Sequence, residues 1–340
     1  PSFRFDIEIE ADLIEEIGRV YGYENIPDNH TSGRLKMLAL PETKRPRFAV
    51  YNEMAARGYQ EVVSYAFVDE QWEQDFAANT NPIRLQNPLA AQYAVMRSTL
   101  VGGLVEILQN NLNRKQNRVR VFEIARVFSK DSDGQFQQKE RIGGLWYGSV
   151  APEQWGEKAR PVDFYDVKAD VENLLKDKAV TFVKAQHPAL HPGRTANIVS
   201  DGVVIGFVGE LHPKWLQKYD LPQAALVFEI DMDAVLGRDK TRYQAVSKFQ
   251  AVRRDLAFVV PESMSHDELL TALNTKANAL VQEISLFDVY RGAGLPEGTK
   301  SLAVKVILQD MESTLTDEVV EPLMTKLVES ATAIGAQLRS

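Results

Sequence analysis

The sequence contains no cysteine. That single absence excludes disulfides, thiolate metal sites, iron–sulfur clusters and cysteine nucleophiles, and it fits a cytoplasmic location. Long apolar runs are missing as well. No stretch approaches the roughly 18 uncharged apolar residues of a bilayer-spanning helix, and the opening PSFRFDIEIE lacks the basic-then-apolar order of a secretory signal. No membrane partner is expected. Positive charge is scarce: 39 Lys+Arg against 47 Asp+Glu leave a net charge of -8, which taken alone disfavours a partner held through its phosphates. What is present is ordinary for a globular protein, 44% hydrophobic and 25% charged, which excludes disordered and collagen-like chains. The length of 340 residues sets a prior of about two domains. Because the chain opens at Pro1 in what reads as mid-strand, it is expected to be a piece of something longer.

FRFDIEIE alternates strictly, with Phe3, Phe5, Ile7 and Ile9 on one face and Arg4, Asp6, Glu8 and Glu10 on the other. That is the pattern of a half-buried strand. ADLIEEIGRVYG then takes a helical period through Leu13, Ile14, Ile17, Val20 and Tyr21 and ends at Gly22. The proline-rich stretch 27–46 reads as a connector and sets a first boundary near residue 30. Beyond it the sequence predicts a helix from Arg47 to Gly58, a strand over QEVVSYAF and an amphipathic helix over STLVGGLVEILQNNLNRK. RVRVFEIARVF and RIGGLWYGSV form a hairpin around DSDG, Asp163 caps a further helix, and a second hairpin turns at Asp201-Gly202. Hairpins interrupted by helices indicate an antiparallel α+β domain, not a parallel one. From about Ser247 the elements run strand, helix, strand, strand, helix, strand, the ferredoxin-like βαββαβ order. Modules of 1–30, 31–246 and 247–340 are therefore expected.

Clusters able to do chemistry are few. Asp12, Glu15 and Glu16 stand at i, i+3 and i+4 of the first helix, and Asp6 on the incoming segment can join them. Hard oxygen donors of this kind suit Mg2+. A solvated acidic first turn, favourable to the helix dipole, has the same pattern, and spacing alone favours it. His187 and His191 have metal-like spacing, but Pro188 and Pro192 bar a shared helical face; His30, His212 and His266 stand alone. GVVIGFVG is neither a dinucleotide fingerprint nor a P-loop, and no G-x-S-x-G nucleophile motif occurs.

In the last module, strand parity directs Val252, Leu256, Phe258 and Val260, and likewise Leu302, Val304, Val306 and Leu308, toward the helices. It leaves Arg253, Asp255, Ala257, Ser301, Ala303 and Lys305 on an open face, with Tyr290 among the small residues and Arg253, Arg291 and Lys300 at the rim. Such an aromatic on an open sheet is able to stack an unpaired base; an exposed tyrosine on a solvated sheet looks the same, and the pattern alone favours that simpler state. Residues 247–340 carry nine Lys+Arg against thirteen Asp+Glu, so RNA contact there has to rest on shape and stacking.

FDIEIEADLIEEIGRVYGYENIP, MRSTLVGGLVEILQNNLNR, RVFEIARVF, HPGRTANI, GELHP, SKFQAVRRDLAFVV and LFDVYRG occur in this order across the chain. Together they resemble the C-terminal half of the bacterial phenylalanine-tRNA ligase β subunit family. The resemblance implies the end of a small domain over 1–30, a class II synthetase-like antiparallel core over 31–246 and a ferredoxin-fold anticodon-binding domain over 247–340. It implies an α2β2 enzyme that uses ATP to join phenylalanine to tRNA(Phe), in which this chain pairs with a catalytic α subunit and is itself without a catalytic centre. RVFEIARVF looks like a relic of the class II strand motif, while the glycine-rich, arginine-ending motif that holds ATP has no counterpart in the core. By the same resemblance Asp6, Asp12, Glu15 and Glu16 hold a Mg2+ shared with the α subunit, and Tyr290, Ala257, Ser301, Arg253 and Arg254 meet the anticodon. The family's N-terminal tRNA-binding and editing modules have no counterpart in these residues, so editing is not expected of them. The competing expectation is a stand-alone ATP-dependent ligase whose βαββαβ unit senses a small molecule.

Overall fold

The computed structural model describes residues 2–29, 32, 33, 36 and 41–339. His30 and most of the middle of the 27–46 connector lie outside the described residues. The chain divides into two units, Pro1–Lys240 and Thr241–Ser340.

The first unit opens with α1 (Glu10–Tyr21), followed by α2 (Arg47–Ala56), β1 (Gln60–Glu61), β2 (Phe67–Val68), α3 (Glu70–Ala77), β3 (Val95–Met96) and α4 (Val101–Asn113). It continues through β4 (Val119–Lys130), β5 (Phe136–Tyr147), α5 (Phe164–Leu174), β6 (Thr181–Lys184), β7 (Leu190–Ser200), β8 (Val203–Leu211), α6 (Pro213–Lys218), β9 (Leu226–Asp231) and α7 (Met232–Leu236). Seven strands make one sheet in the order β1-β4-β5-β9-β8-β7-β6, antiparallel throughout except for the β1–β4 pair. Both faces are covered. Val50 and Met54 of α2, Val167 and Val171 of α5 and Val235 of α7 pack with Phe122, Trp146 and Phe228 on one side. Phe76 of α3, Leu104 and Leu108 of α4 and Trp215 of α6 pack with Val121, Leu145 and Val227 on the other. A sheet buried on both faces needs apolar residues at both parities, which is why VRVFEI runs without alternation.

Both predicted hairpins are present, the second turning at Asp201 and Gly202 with φ of 50° and 77°. Asp163 caps α5 by accepting from Tyr165 N and Asp166 N. Two expected strands are corrected. FRFDIEIE forms turns leading into α1: among the described residues no chain lies beside it to supply a ladder, and Arg4 folds back onto Asp6 and Glu16 instead. QEVVSYAF pairs with β4 only at Gln60 and Glu61 before leaving the sheet, because Ser64 turns to bond the Glu123 carboxylate.

The second unit has β10 (Val252–Pro261), α8 (His266–Lys276), β11 (Val281–Tyr290), β12 (Thr299–Leu308), α9 (Asp317–Ala333) and β13 (Gln337–Leu338), the expected βαββαβ order. Its antiparallel sheet runs β11-β12-β10-β13. Phe258, Val260, Val304 and Val306 pack beneath Leu269 and Leu273 of α8 and Leu323 and Leu327 of α9. The helices cover one face and leave the other open. No helix among the described residues is long and apolar enough to cross a membrane.

Candidate functional site

The acidic group on α1 sits where the spacing put it, but its carboxylates are already engaged. Arg4 donates to Asp6 Oδ2 at 2.7 Å and to Glu16 Oε1 at 2.8 Å, and Arg19 donates to Glu16 Oε2 at 2.7 Å. Asp12 accepts from the backbone N–H groups of Glu8 and Ile9 at 2.8 and 2.9 Å, capping its own helix. These bonds keep the acids ionised: the arginines hold the Glu16 carboxyl down to about 2, and Arg4 lowers Asp6. The Ile9 and Glu8 amides do the same for Asp12. Glu15 is exposed beside them. As placed, the four carboxylates do not form a metal set, and the described residues contain no group of three or more acids or histidines arranged for one. No α1 residue is buried, so Leu13, Ile14, Ile17 and Val20 are all exposed.

In the core, the side chains that resemble catalytic groups neutralise one another. The tetrapeptide VFEI occurs at 121–124 and again at 227–230, on the two strands that flank β5. Glu123 and Glu229 both lie opposite Gly143 in the register. A Cβ on Gly143 would stand 3.0 Å from the Leu100 Cβ, so the glycine lets the start of α4 come down between the two acids. Glu123 takes Arg97 Nη1 at 3.1 Å and the Ser64 hydroxyl at 2.7 Å. Glu229 takes Arg141, the Thr99 hydroxyl at 2.6 Å and Leu100 N at 2.7 Å. His187 stacks on Phe207 with ring centroids 4.1 Å apart, and burial lowers its imidazole to about 4. His191 and His212 accept hydrogen bonds from nearby backbone amides. The repeated VFEI was the available sequence signal for these acids: a glutamate inside an otherwise apolar strand needs a buried partner.

The open face of the four-stranded sheet is the opposite case. Pairing of Tyr290 with Ser301 and of Ala257 with Ala303 brings these residues to one face, with Arg253 and Asp255 further along β10. Tyr290 is 38% exposed; its hydroxyl donates to the Ala293 carbonyl at 3.0 Å. A Cβ at Gly292 would stand 2.8 Å from that hydroxyl oxygen, so any larger residue there would push the end of the ring aside. Arg339 follows β13, donates its backbone N–H to the Ala257 carbonyl at 2.7 Å, and holds its guanidinium 5.3 Å from the Tyr290 ring centre.

A register shift between Leu286 and Asp288 leaves Phe287 as an extra residue on β11, 50% exposed, with the Arg253 guanidinium 5.4 Å from its ring centre. Strand parity could not reveal Phe287, because a bulge changes the alternation from which faces are read. Arg253 also pairs with Asp255 at 2.8 Å.

Three expectations for this face change. Ser301 is only 3% exposed and serves as floor beneath its neighbours. Arg254 lies opposite Val306 on the helix side, where it pairs with Asp317 of α9 at 2.6 Å. Lys300 is buried, donating to the Glu262 carbonyl at 2.9 Å, while Arg291 grips the Glu262 carboxylate. The resemblance brought Arg254 to the anticodon and the strand pattern set Lys300 at the rim, but alternation turns both side chains to the other side.

Three family models match the chain: a phenylalanyl tRNA synthetase beta chain CLM domain over residues 26–232, a ferredoxin-fold anticodon binding domain over 247–339 and a tRNA synthetase B5 domain over 1–23. Among curated relatives, the chain is 84% identical over its whole length to the phenylalanine–tRNA ligase beta subunit of Neisseria meningitidis serogroup B and 56% identical to that of Chromobacterium violaceum. It spans 43% of the length of each. Among solved structures, a pyrrolysyl tRNA synthetase of Desulfitobacterium hafniense matches at 10% identity and a TM-score of 0.41, covering 56% of this chain and 66% of that one.

Proposed function

Since the chain belongs to the phenylalanyl-tRNA synthetase β-chain CLM domain family, we propose that it is part of a non-catalytic β subunit that assembles with a catalytic α subunit, in an α2β2 enzyme, and seats the anticodon of tRNA(Phe). The work is done in the cytoplasm. In this reading the modules are 1–30, 31–246 and 247–340, and ATP is used by the complex and not held mainly by this chain. The observation that carries the proposal is the open face of the second unit, where Tyr290 lies exposed over the small residues Ala257, Ala303 and Ser301. Stacking of unpaired bases on an aromatic needs that combination of π-face and clearance. The pairing of Glu123 and Glu229 with arginines supports a core that shapes and does not react. It speaks against the stand-alone ligase.

Magnesium shared with the α subunit belongs to the proposal at the level of donor chemistry only. Asp6, Asp12, Glu15 and Glu16 are the hard oxygens that Mg2+ prefers, and Arg4 has to leave Asp6 and Glu16 before an ion enters. The test is co-purification with an α subunit followed by aminoacylation of tRNA(Phe), comparing wild type with Tyr290→Ala and with Asp12→Ala/Glu15→Ala. A stable complex whose KM for tRNA rises with Tyr290→Ala, and whose Mg2+ dependence shifts with the acidic pair, is expected. No complex, or amino-acid activation by the isolated chain, overturns the proposal.

A further inference from the structure

The first unit holds a cavity of about 160 Å³ between α4, the start of α3 and the segments that carry β2 and β3. Three rings make one wall: Tyr65 stacks on Phe67 with centroids 5.2 Å apart, and Tyr93 leans on both at 5.2 and 5.9 Å. Trp72 and the carboxylates of Asp69 and Glu106 complete the lining. We infer that this cavity is an aromatic cage for a cationic head group, the ammonium or guanidinium end of an amine ligand or of a basic side chain. It is separate from the open face of the second unit and does not depend on the anticodon role.

Three observations carry it. The first is charge. Two carboxylates line the cavity and no lysine or arginine does, while the aromatic rings turn negative faces to whatever enters. Arg97 donates to the Tyr65 carbonyl at 3.3 Å, but its charge is spent on Glu123 and it is not among the lining residues. The second is an acid without a partner. Glu73, Asp75, Glu123, Asp170 and Glu229, the buried acids of this unit, each accept from donors that the fold supplies, and Asp69 caps α3 through Gln71 N at 2.8 Å. Glu106 is half-buried, yet among the described residues it has no hydrogen bond or ion pair. A carboxylate in that state is costly, and a cation set beside it removes the cost. The third is size. A cavity of about 150 Å³ holds one benzene and drug-sized ligands need ~300 Å³ or more, so there is room here for a trimethylammonium or guanidinium head and none for a nucleotide. Gly103, one turn before Glu106, closes the inner end, since a Cβ there would stand 2.5 Å from Ser64 Oγ. Tyr65, 59% exposed, leaves the outer end open to solvent.

The test titrates the full-length β subunit, alone and assembled with an α subunit, with choline and with 3,3-dimethylbutan-1-ol, its uncharged isostere, and follows broadening of the ligand methyl resonance. Choline is expected to bind the free subunit about tenfold more tightly than the alcohol, the discrimination that a cation–π contact and one carboxylate supply away from bulk water. Glu106→Gln and Tyr65→Leu should each remove most of that preference. Tyr65→Phe, which keeps the ring, should retain it, a rescue that a role in packing alone would not tie to ligand charge. Thermal unfolding of each variant confirms that the fold is retained. Assembly then separates the two sources of the cation. If it is a side chain of the partner, the assembled enzyme no longer takes choline, and Glu106→Gln weakens the α–β complex; if it is a free amine, the assembled enzyme takes choline as the free subunit does. Should choline and the alcohol bind the free subunit alike, or neither bind, the cage is refuted while the proposed subunit role stands. Failure of the wild-type chain to assemble with α would instead refute that role, and the cage would be decided by the free subunit.

Discussion

On the seven-stranded sheet Glu123 and Glu229 lie beneath α4, each held by an arginine and a hydroxyl, whereas on the four-stranded sheet Phe287 and Tyr290 face solvent over a floor of small side chains. Residue types that usually signal chemistry are spent on cohesion in the first, and residue types that usually signal a core stand exposed in the second. The difference follows from coverage. A sheet with helices on both faces must satisfy every polar group internally, so its acids lose the freedom to act on a substrate. A sheet covered on one face keeps the other for a ligand, and its aromatics are free to be used there.

The sharpest way to break this contrast is to treat a core acid as if it were functional. Glu123→Ala leaves Arg97 buried without its partner, and such a loss costs about 3 to 5 kcal/mol; urea unfolding of the chain should show it. A variant of wild-type stability with altered chemistry would mean that the acid serves a reaction after all.

A second effect in the core depends on pH. Burial holds His187 neutral, its imidazole lowered from 6.5 to about 4. Above pH 6.5 folded and unfolded chains carry the same neutral ring and nothing is gained or lost. As pH falls from 6.5 toward 4 the unfolded chain takes up the proton and the folded chain does not, so stability declines by up to roughly 3 kcal/mol. Denaturation of His187→Gln across that window should lack this component of the slope; an unchanged slope would place the titration elsewhere.

On the open face the expected effects fall on binding. Tyr290→Ala should weaken tRNA binding by about 1 to 3 kcal/mol and barely move the unfolding midpoint, a split that filter binding and calorimetry together resolve. The smallest effect is expected from Arg254→Ala. Its pair with Asp317 is partly exposed, so stability should change by less than about 1 kcal/mol. Its position on the helix side predicts tRNA affinity equal to wild type. Loss of affinity there would show that the RNA reaches beyond the open face.

What the sequence made legible was whatever depends on neighbours along the chain. DSDG and Asp201-Gly202 mark their hairpins, Asp163 marks a helix start, and the 247–340 pattern yields the βαββαβ order, because turn chemistry and period are local properties. FRFDIEIE failed because a strand exists only through a partner, and QEVVSYAF because Ser64 finds a better bond off the sheet, to Glu123. At the candidate site, parity located Tyr290 and Ala257 correctly on the open face. It could not see the bulge that exposes Phe287, nor that β13 brings Arg339 back across Ala257 from some eighty residues further along the chain. The acids on α1 were identifiable by spacing, but Arg4, drawn back across the helix to Glu16, was not.

The bulge in β11 has one more effect. This strand of ten residues ends its sheet, so among the described residues no strand pairs with one side of its backbone. A long, flat, partly apolar edge of that kind invites another chain to add to it. Two register shifts and the acids Glu283 and Asp288 make this edge irregular and charged. The kink that holds Phe287 outward therefore also works against fibre-like growth of one copy onto the next, and a substitution that straightened β11 would be felt in solubility.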